Sequence, residues 1–245
     1  MDDHAARLAH ANQLIDDEPR GAGGRPASSD RLERLCSALT RVIPASGVGL
    51  SLLTDDTYGG GTIAASDANI RVLEELQFAL GEGPCIDAYN SRRPVLEPDL
   101  GTHGSRRWPG YAPAAQQRGV RAVFAFPLQV GAARAGALDI YRAETGSLTP
   151  DALTQAFTFA DVAMSLLVDG QARAGDNLSS PDVDGALANR LEVYQAQGMV
   201  MVDLGAGIEE ALARLRAHAY AEGRTISAVA KDIVAGKLTL ERDTT

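Results

Sequence analysis

The chain has 245 residues, of which 45% are hydrophobic and 22% are charged, and its formal net charge is −9. This composition is typical of a soluble globular protein. The acidic balance argues against non-specific binding to nucleic acid but leaves binding by a local basic patch open. No apolar run approaches the ~20 residues of a membrane span, and residues 1–10 lack the regions of a signal peptide, so we expect a cytoplasmic protein. Cys36 and Cys85 are too few for a disulfide framework and are expected as reduced thiols in or near a core.

Two stretches rich in glycine, proline and polar residues divide the chain. The first, 16–29, follows a short amphipathic helix, and the second is 169–185. Segments of about 140 and about 60 residues remain, and each is long enough to bury a core. The predicted organisation is an N-terminal helix and flexible linker over 1–29, a domain over 30–168, a linker over 169–185 and a second domain over 186–240.

The larger domain begins with a helix at 31–43, whose apolar residues share one face and which Pro44 ends. Alternating apolar residues then predict five strands, of which the last two form a hairpin around a short turn. Thr149, Pro150 and Asp151 open a closing helix as its cap and first residues. The strands are expected at 47–56, 61–66, 93–97, 120–130 and 134–142, and inserted helices at 68–80, 84–90 and 109–118. This mixture predicts an α+β domain.

Two segments of this domain carry a family resemblance. They are "LGEGPCIDAYNSRRPVLEPDL" at 80–100 and "FPLQVGAARAGALDIY" at 126–141. In this order they resemble the turn, short helix, strand and closing hairpin of the GAF family, over roughly 30–168. The resemblance implies an antiparallel sheet flanked by helices, acting as a sensor whose pocket either is empty or holds a small-molecule ligand that the sequence does not identify. Cys85 stands at a helix start but lacks the other features of a chromophore pocket, so we interpret it as a buried structural thiol.

The sequence contains no motif that indicates catalysis. The four histidines have no metal-ligand spacing, and the chain has no HExxH, Walker A or GxSxG motif. The segments "GEGPCI" and "GAGIEE" lack the final glycine of a dinucleotide-binding motif and are better interpreted as turns. We therefore expect a protein that is not an enzyme, with no cofactor and no metal site.

The smaller domain is predicted to be three helices, at 185–204, at 208–221 and from 226, where Thr225 can cap the last. The first helix differs from the others because it carries two apolar stripes. One contains Leu187, Leu191, Tyr194, Gly198 and Met201. The other contains Val193, Ala196, Val200 and Leu204. Since one face is enough to pack on the other two helices, the second stripe is predicted to be the seam of a homodimer.

The segment 194–236 has a second resemblance, carried by "YQAQGMVMVDLGAGIEEALARLRAHAYAEGRTISAVAKDIVAG". It is similar to the ANTAR family, three-helix RNA-binding modules of bacterial transcription antiterminators. The resemblance implies dimers that bind tandem RNA hairpin loops, and a GAF sensor joined to ANTAR is a known bacterial arrangement. The predicted fold is therefore α+β, a GAF-type antiparallel sheet flanked by helices, followed by a small all-α three-helix bundle.

Candidate RNA-binding residues follow from the residue types in this segment. Arg214 and Arg216 lie either on a solvated face or against phosphates and bases. Tyr194 is either a core residue or a base-stacking one, and the glutamines offer amides that read base edges or fill the helix seam. The full candidate set is Tyr194, Gln195, Gln197, Arg214, Arg216, His218, Arg224 and Lys231.

Two function classes remain open. The first is an RNA-binding transcription antitermination regulator whose ANTAR bundle binds hairpin loops under control of the GAF domain. The second is a dimeric signal-sensing or protein-interaction scaffold whose ANTAR-like bundle does not bind RNA. Residues 171–245 contain eight arginines and lysines against eleven acidic residues, a net charge of −3, which favours the second class.

Overall fold

The computed structural model describes residues 2–20, 27–53, 60–174 and 181–240. Their strands are β1 (Gly47–Leu53), β2 (Gly60–Ala65), β3 (Val95–Glu97), β4 (Ala122–Val130) and β5 (Ala133–Arg142). All neighbouring strands are antiparallel, and their order across the sheet is β2-β1-β5-β4-β3. The five strands and the closing hairpin confirm the predicted sheet.

The described helices alternate with these strands and then follow them. They are α1 (Asp2–Asp16), α2 (Ala27–Val42), α3 (Ala68–Leu80), α4 (Pro84–Ser91), α5 (Ser105–Arg107), α6 (Tyr111–Gln117), α7 (Pro150–Ala174), α8 (Pro181–Leu204), α9 (Ile208–Ala221) and α10 (Ile226–Val234). A π-helical turn at Leu100–Gly104, which the sequence pattern does not predict, leads into α5. The break expected at 169–185 is helical at both ends, because α7 continues to Ala174 and α8 starts at Pro181.

One face of the sheet packs against α1, α2 and α7. Alternate residues of the strands point to this side, including Leu50, Phe124, Leu138 and Ile140, and all four are buried. Cys36 of α2 lies in this core, as expected. Helix α7 begins where predicted, since the Thr149 hydroxyl accepts a hydrogen bond from the Ala152 amide (3.2 Å).

Helix α7 contains the one stretch of the described residues that is long and apolar enough to cross a membrane, Pro150–Asp169, with a mean hydropathy of 1.2. Half of this stretch is buried inside the protein. Its apolar side includes Ala156, Phe159 and Ala163, which belong to the core between the helices and the sheet. A core helix passes the same test of length and composition, and the packing of α7 accounts for its hydropathy.

The other face of the sheet is covered by α3, α4 and α6. Helix α3 starts at its cap Asp67, whose carboxylate accepts hydrogen bonds from the Asn69 and Ile70 amides, and ends at Gly81, with a positive φ of 68°. Gly49 of β1 lets α3 come close to the strands, since a Cβ there would lie 2.3 Å from a carboxylate oxygen of Glu74. This close approach brings α3 side chains directly onto the sheet.

Helices α8, α9 and α10 form a three-helix bundle with its own core. Gly205 and Gly223, both with positive φ, follow α8 and α9 and allow the tight turns between the helices. The Thr225 hydroxyl caps α10 by accepting from the Ala228 amide (3.1 Å), as predicted. The bundle touches the sheet domain at two places, where α8 lies along the edge strand β2 and α9 packs against α3.

Candidate functional site

A cluster of buried polar side chains lies between α3 and the sheet. Glu74 and Gln77 project from α3, while Ser51 comes from β1 and Asp139 and Tyr141 from β5, and all five are fully buried. The Ser51 and Tyr141 hydroxyls donate to the two carboxylate oxygens of Glu74, the latter at 2.7 Å. The Gln77 amide donates to Asp139 at 2.6 Å and to the Tyr141 hydroxyl at 3.1 Å. Two carboxyl groups thus share one buried site, where the side chains that donate hydrogen bonds to them are neutral.

Burial controls the protonation of this cluster. It raises the pKa of Glu74 to about 7, against hydrogen bonds from Ser51, Tyr141 and Asp139 that lower it. Burial, and next the charge of Glu74, raise the pKa of Asp139 well above its usual range. Burial is the largest cause of both shifts, as expected for carboxyl groups that lose their contact with water. The pair therefore holds at least one proton near neutral pH.

The cluster also has unused hydrogen-bonding capacity. Within the described residues, Asp139 Oδ1 and the Tyr111 hydroxyl of α6 are buried without a hydrogen-bond partner. An unsatisfied buried oxygen of this kind costs free energy unless a water or a ligand donates to it. Each of these two oxygens can therefore accept a further hydrogen bond.

The cluster is not among the sites predicted from the sequence, although the sequence contains its signal. Glu74 and Gln77 occupy the helical spacing of the buried residues Ile70 and Leu73, and Asp139 lies inside an apolar strand between Leu138 and Ile140. A polar residue indicates a buried polar site when the helical or strand period predicts an apolar residue at its position. Cys85 of α4 is buried nearby, where burial raises the pKa of its thiol, as expected for a structural cysteine.

The C-terminal bundle distributes its cations over several surfaces. Arg214 lies 3.7 Å from Glu210, one turn earlier on α9. Arg224, after α9, donates to Asp232 of α10 and to the Ala228 carbonyl. Lys231 of α10 lies 3.7 Å from Glu192 of α8. Arg214 and Arg216 are two residues apart in the same helix and so point to opposite sides of it.

An exposed apolar groove runs between α8 and α10. It is lined by Gln195, Gly198, Met199, Val202, Asp203 and Val234. Val202 is 80% exposed, and a Cβ added to Gly198 would meet nothing within 4 Å. The close helix approach at Gly198 that its small size suggests therefore does not occur within the described bundle.

Comparison with known families explains both parts of this architecture. Residues 28–168, more than half of the chain, match the sequence model of the GAF domain. The chain belongs to the GAF family. Residues 182–234 match the model of the ANTAR domain, so the GAF domain is followed by an ANTAR bundle, as the sequence predicts.

Solved structures support the GAF fold. The GAF domain of a phosphoenolpyruvate-protein phosphotransferase from Coxiella burnetii is 16% identical, with a TM-score of 0.52, and the match covers 70% of this chain and 96% of that one. The corresponding GAF domain from Acinetobacter is 11% identical, with a TM-score of 0.51 and the same coverage. A comparison with curated proteins finds no match. At these identities the structures show the fold alone.

The paired GAF and ANTAR domains identify a regulator of the antitermination type. Both domain types are regulatory, and neither is a catalytic domain. The cavities and charges of the two domains are therefore interpreted as sites of sensing and recognition.

The dimer seam predicted on α8 needs correction. Val193, Ala196 and Val200 are at most 8% exposed and form the core of the ANTAR bundle, and Leu204 packs against that core. Because α8 carries two apolar stripes, the sequence predicts that one of them packs against a second chain. The bundle itself covers the stripe assigned to the seam, so a second chain cannot reach it without opening the bundle.

The two glutamines of α8 have different environments. Gln197 is 1% exposed, and its amide donates to the Ile208 carbonyl at 2.7 Å, which ties α8 to the first residue of α9. Its predicted role as a reader of base edges is therefore wrong, because the amide is occupied inside the bundle. Gln195 is exposed on the groove, where its amide remains accessible.

The other candidate RNA-binding residues are not brought into one patch. Tyr194, Arg214, Arg216, His218 and Arg224 are half-buried, and Lys231 is exposed. Lys231 shares the α8–α10 side with Gln195, since its partner Glu192 lies one turn before Gln195. Arg216 instead faces the GAF domain at Gly81. These candidates therefore lie on separate parts of the described surface.

Proposed function

We propose that the chain is an RNA-binding transcription antitermination regulator of the cytoplasm, in which the GAF sensor controls RNA binding by a homodimer of ANTAR bundles. The observation that carries the proposal is the match of residues 182–234 to the ANTAR domain. The helices α8, α9 and α10 lie within or close to the matched range and form one bundle with a closed core. The bundle is therefore a unit that can present helix surfaces to a partner.

Hairpin loops are the RNA that this surface fits best. The bundle has few cations and several of them pair with acidic residues, so the sequence-independent attraction to phosphates is small. Unstacked loop bases expose edges that the Gln195 amide and the arginines can reach. Two bundles in one dimer gain affinity for two linked loops through effective concentration. One bundle should therefore bind one loop weakly, and the dimer should bind two linked loops strongly.

The GAF ligand in this proposal binds at the buried polar cluster. Asp139 Oδ1 and the Tyr111 hydroxyl lack partners among the described residues, and the Glu74 carboxyl group lies close enough to Asp139 to raise its pKa. The ligand that complements such a site is a small molecule that donates hydrogen bonds, of which a primary amine is the simplest example. The N–H groups of such a ligand would donate to the carboxyl pair in place of a water molecule or of the proton that the pair holds.

Thermal unfolding tests the sensor. We expect a small amine-bearing ligand to raise the melting temperature of the wild type in proportion to the logarithm of its concentration, because it binds the folded state alone. The Asp139→Asn variant should lose this rise, whereas Glu144→Gln, at a side chain that is 87% exposed, should keep it. Equal shifts in all three proteins would place the ligand elsewhere.

A second candidate function is a protein-interaction scaffold that does not bind RNA. The acid partners of Arg214, Arg224 and Lys231 favour it, because each neutralises a cation that RNA would otherwise attract. The exposed apolar groove on α8 and α10 favours it as well. RNA titrations separate the two functions.

The decisive titration compares tandem-hairpin and single-hairpin RNAs at low and physiological salt. We expect the tandem RNA to bind at least about tenfold more tightly, through avidity. Arg214→Ala should weaken binding roughly tenfold, the effect of one arginine contact to a base or phosphate. Arg118→Ala, in the GAF domain and at an exposed residue, is the matched control.

The two functions predict different results in this experiment. Equal affinity for the two RNAs would contradict the avidity argument, and an unchanged Arg214→Ala variant would move the contact surface away from α9. Absence of binding to any hairpin RNA at low salt would reject the RNA-binding function and favour the scaffold.

A further inference from the structure

Arg216 of the ANTAR bundle contacts the end of helix α3 in the GAF domain. A Cβ added to Gly81, the C-terminal cap of α3, would lie 2.6 Å from Arg216 Nη1 and 2.8 Å from Cζ. The guanidinium therefore lies directly on the glycine, which has no side chain to keep it away. Helices α3 and α9 are in contact around this point. The contact joins the two domains through one RNA-binding candidate.

The chemistry of a helix end explains why a guanidinium lies there. The last carbonyls of α3 lack donors within the helix, and the helix dipole places partial negative charge at this end. The Gly81 amide already donates to the Gln77 carbonyl (2.9 Å), so the turn is closed and its geometry is fixed. No basic residue lies in the last turn of α3 itself. Arg216 supplies the missing positive charge from the other domain.

This docking leaves Arg216 half-buried on the side of α9 that faces the GAF domain. Arg216 points toward the GAF domain, while Arg214, two residues earlier, points to the opposite side of the helix. An RNA loop that uses the Arg216 side of α9 would need the space that α3 occupies. The same guanidinium therefore cannot serve α3 and RNA at one time.

We propose that the contact between Arg216 and the C-terminal end of α3 is an autoinhibitory contact, in which the GAF domain and RNA compete for the same arginine. The inference rests on the proposed RNA-binding function and adds the regulation of that site. The docked state has low RNA affinity, and the undocked state exposes Arg216 for phosphates or bases. The apparent affinity for RNA is then set by the undocked fraction.

A substitution at Gly81 separates docking from RNA contact. Asparagine tolerates the left-handed conformation of Gly81, so Gly81→Asn keeps the helix cap, but its Cβ displaces the guanidinium. We expect the variant to bind tandem-hairpin RNA about three- to tenfold more tightly than the wild type. Amide hydrogen exchange at the end of α3 and along α9 should accelerate, because the contact is lost.

Gly131→Asn is the matched control. Gly131 has a similar φ of 57°, but nothing lies within 4 Å of its added Cβ, so the substitution has the same backbone effect without an obstructed neighbour. It should leave RNA affinity and exchange unchanged. Fluorescence of the buried Trp108 reports whether the asparagine disturbs the GAF domain. In that case Gly81→Ala, which also places a Cβ against Arg216, is a second variant for the same test.

The double variants decide whether Arg216 is the shared element. In an Arg216→Ala background, Gly81→Asn should no longer raise RNA affinity, because the arginine that it releases is gone. Faster exchange with unchanged or lower RNA affinity in Gly81→Asn would overturn the autoinhibitory contact, and so would a gain that persists without Arg216. If no variant binds RNA at all while exchange reports undocking, the proposed RNA-binding function fails and the competition fails with it.

Discussion

Replacement of Val200 by glutamate is expected to unfold the ANTAR bundle and to leave the GAF domain folded. Val200 is 1% exposed and packs in the core with residues of α9 and α10, including Leu212, Leu215 and Ile233. A carboxylate placed there has no partner in this apolar core, and the substitution should cost at least about 3 kcal/mol. That exceeds what a bundle of this size can spare. Far-UV circular dichroism should lose helical signal, while Trp108 fluorescence of the GAF domain stays native.

Val202→Glu is the control for this prediction. Val202 lies on the same helix two residues further and is 80% exposed, so its glutamate stays in water and the bundle should remain folded. Retained helical signal in Val200→Glu would show that the stripe is not the bundle core. Sedimentation of the folded Val202→Glu protein reports in addition whether the exposed groove holds two copies of the chain together.

The free energy of unfolding of the GAF domain is expected to fall as pH rises from about 4.5 to about 7. Burial raises the pKa of Glu74 from 4.5 to about 7 in the folded protein. Below pH 4.5 the Glu74 carboxyl group is protonated in both states, and its contribution to stability is fully present. Between pH 4.5 and pH 7 only the unfolded state loses this proton. The free energy of unfolding therefore falls by about 1.4 kcal/mol per pH unit, or about 3 kcal/mol in all. Above pH 7 this contribution levels off.

Two substitutions check the origin of this pH dependence. Glu74→Gln should flatten the fall in urea unfolding followed by Trp108 fluorescence, because an amide does not titrate. Asp139→Asn should flatten it in part, since it removes a second carboxyl group whose pKa is raised, chiefly by burial. Glu144→Gln, at an exposed position of the same domain, should follow the wild type. A wild-type curve that rises with pH over this range would contradict the assignment to the carboxyl pair.

Local patterns predict most of the fold because each element follows from its own period and caps. Helix α3 lies at the predicted 68–80 and α9 at the predicted 208–221, since glycine and cap residues mark their ends. The π-helical turn at Leu100–Gly104 is different. It depends on the Asp99 carboxylate, which accepts from the Gly101 and Thr102 amides, and a local apolar pattern does not report such a contact.

The candidate sites are harder to predict because they depend on which surfaces meet. The apolar period of α8 identifies Val193, Ala196 and Val200 as one stripe, but the period is the same whether the stripe faces its own bundle or another chain. Likewise, Arg216 appears in the sequence as one more cation of an amphipathic helix. Its position on Gly81 depends on how the two domains pack, and the spacing of residues within α9 contains no information about that packing.

Gln77 takes part both in the buried polar cluster and in the turn at Gly81 that Arg216 contacts. Its side chain donates to Asp139 and accepts from the Cys85 amide, and its backbone carbonyl accepts from Gly81, on which Arg216 rests. Four residues of helix separate Gln77 from Gly81, a distance of about 6 Å along the axis. A ligand that changes the partners of Asp139 acts on the same residue that closes the turn under Arg216. In the proposed mechanism the signal then has a path of one helical turn, and coupling of the two domains needs no relay across the width of the sheet.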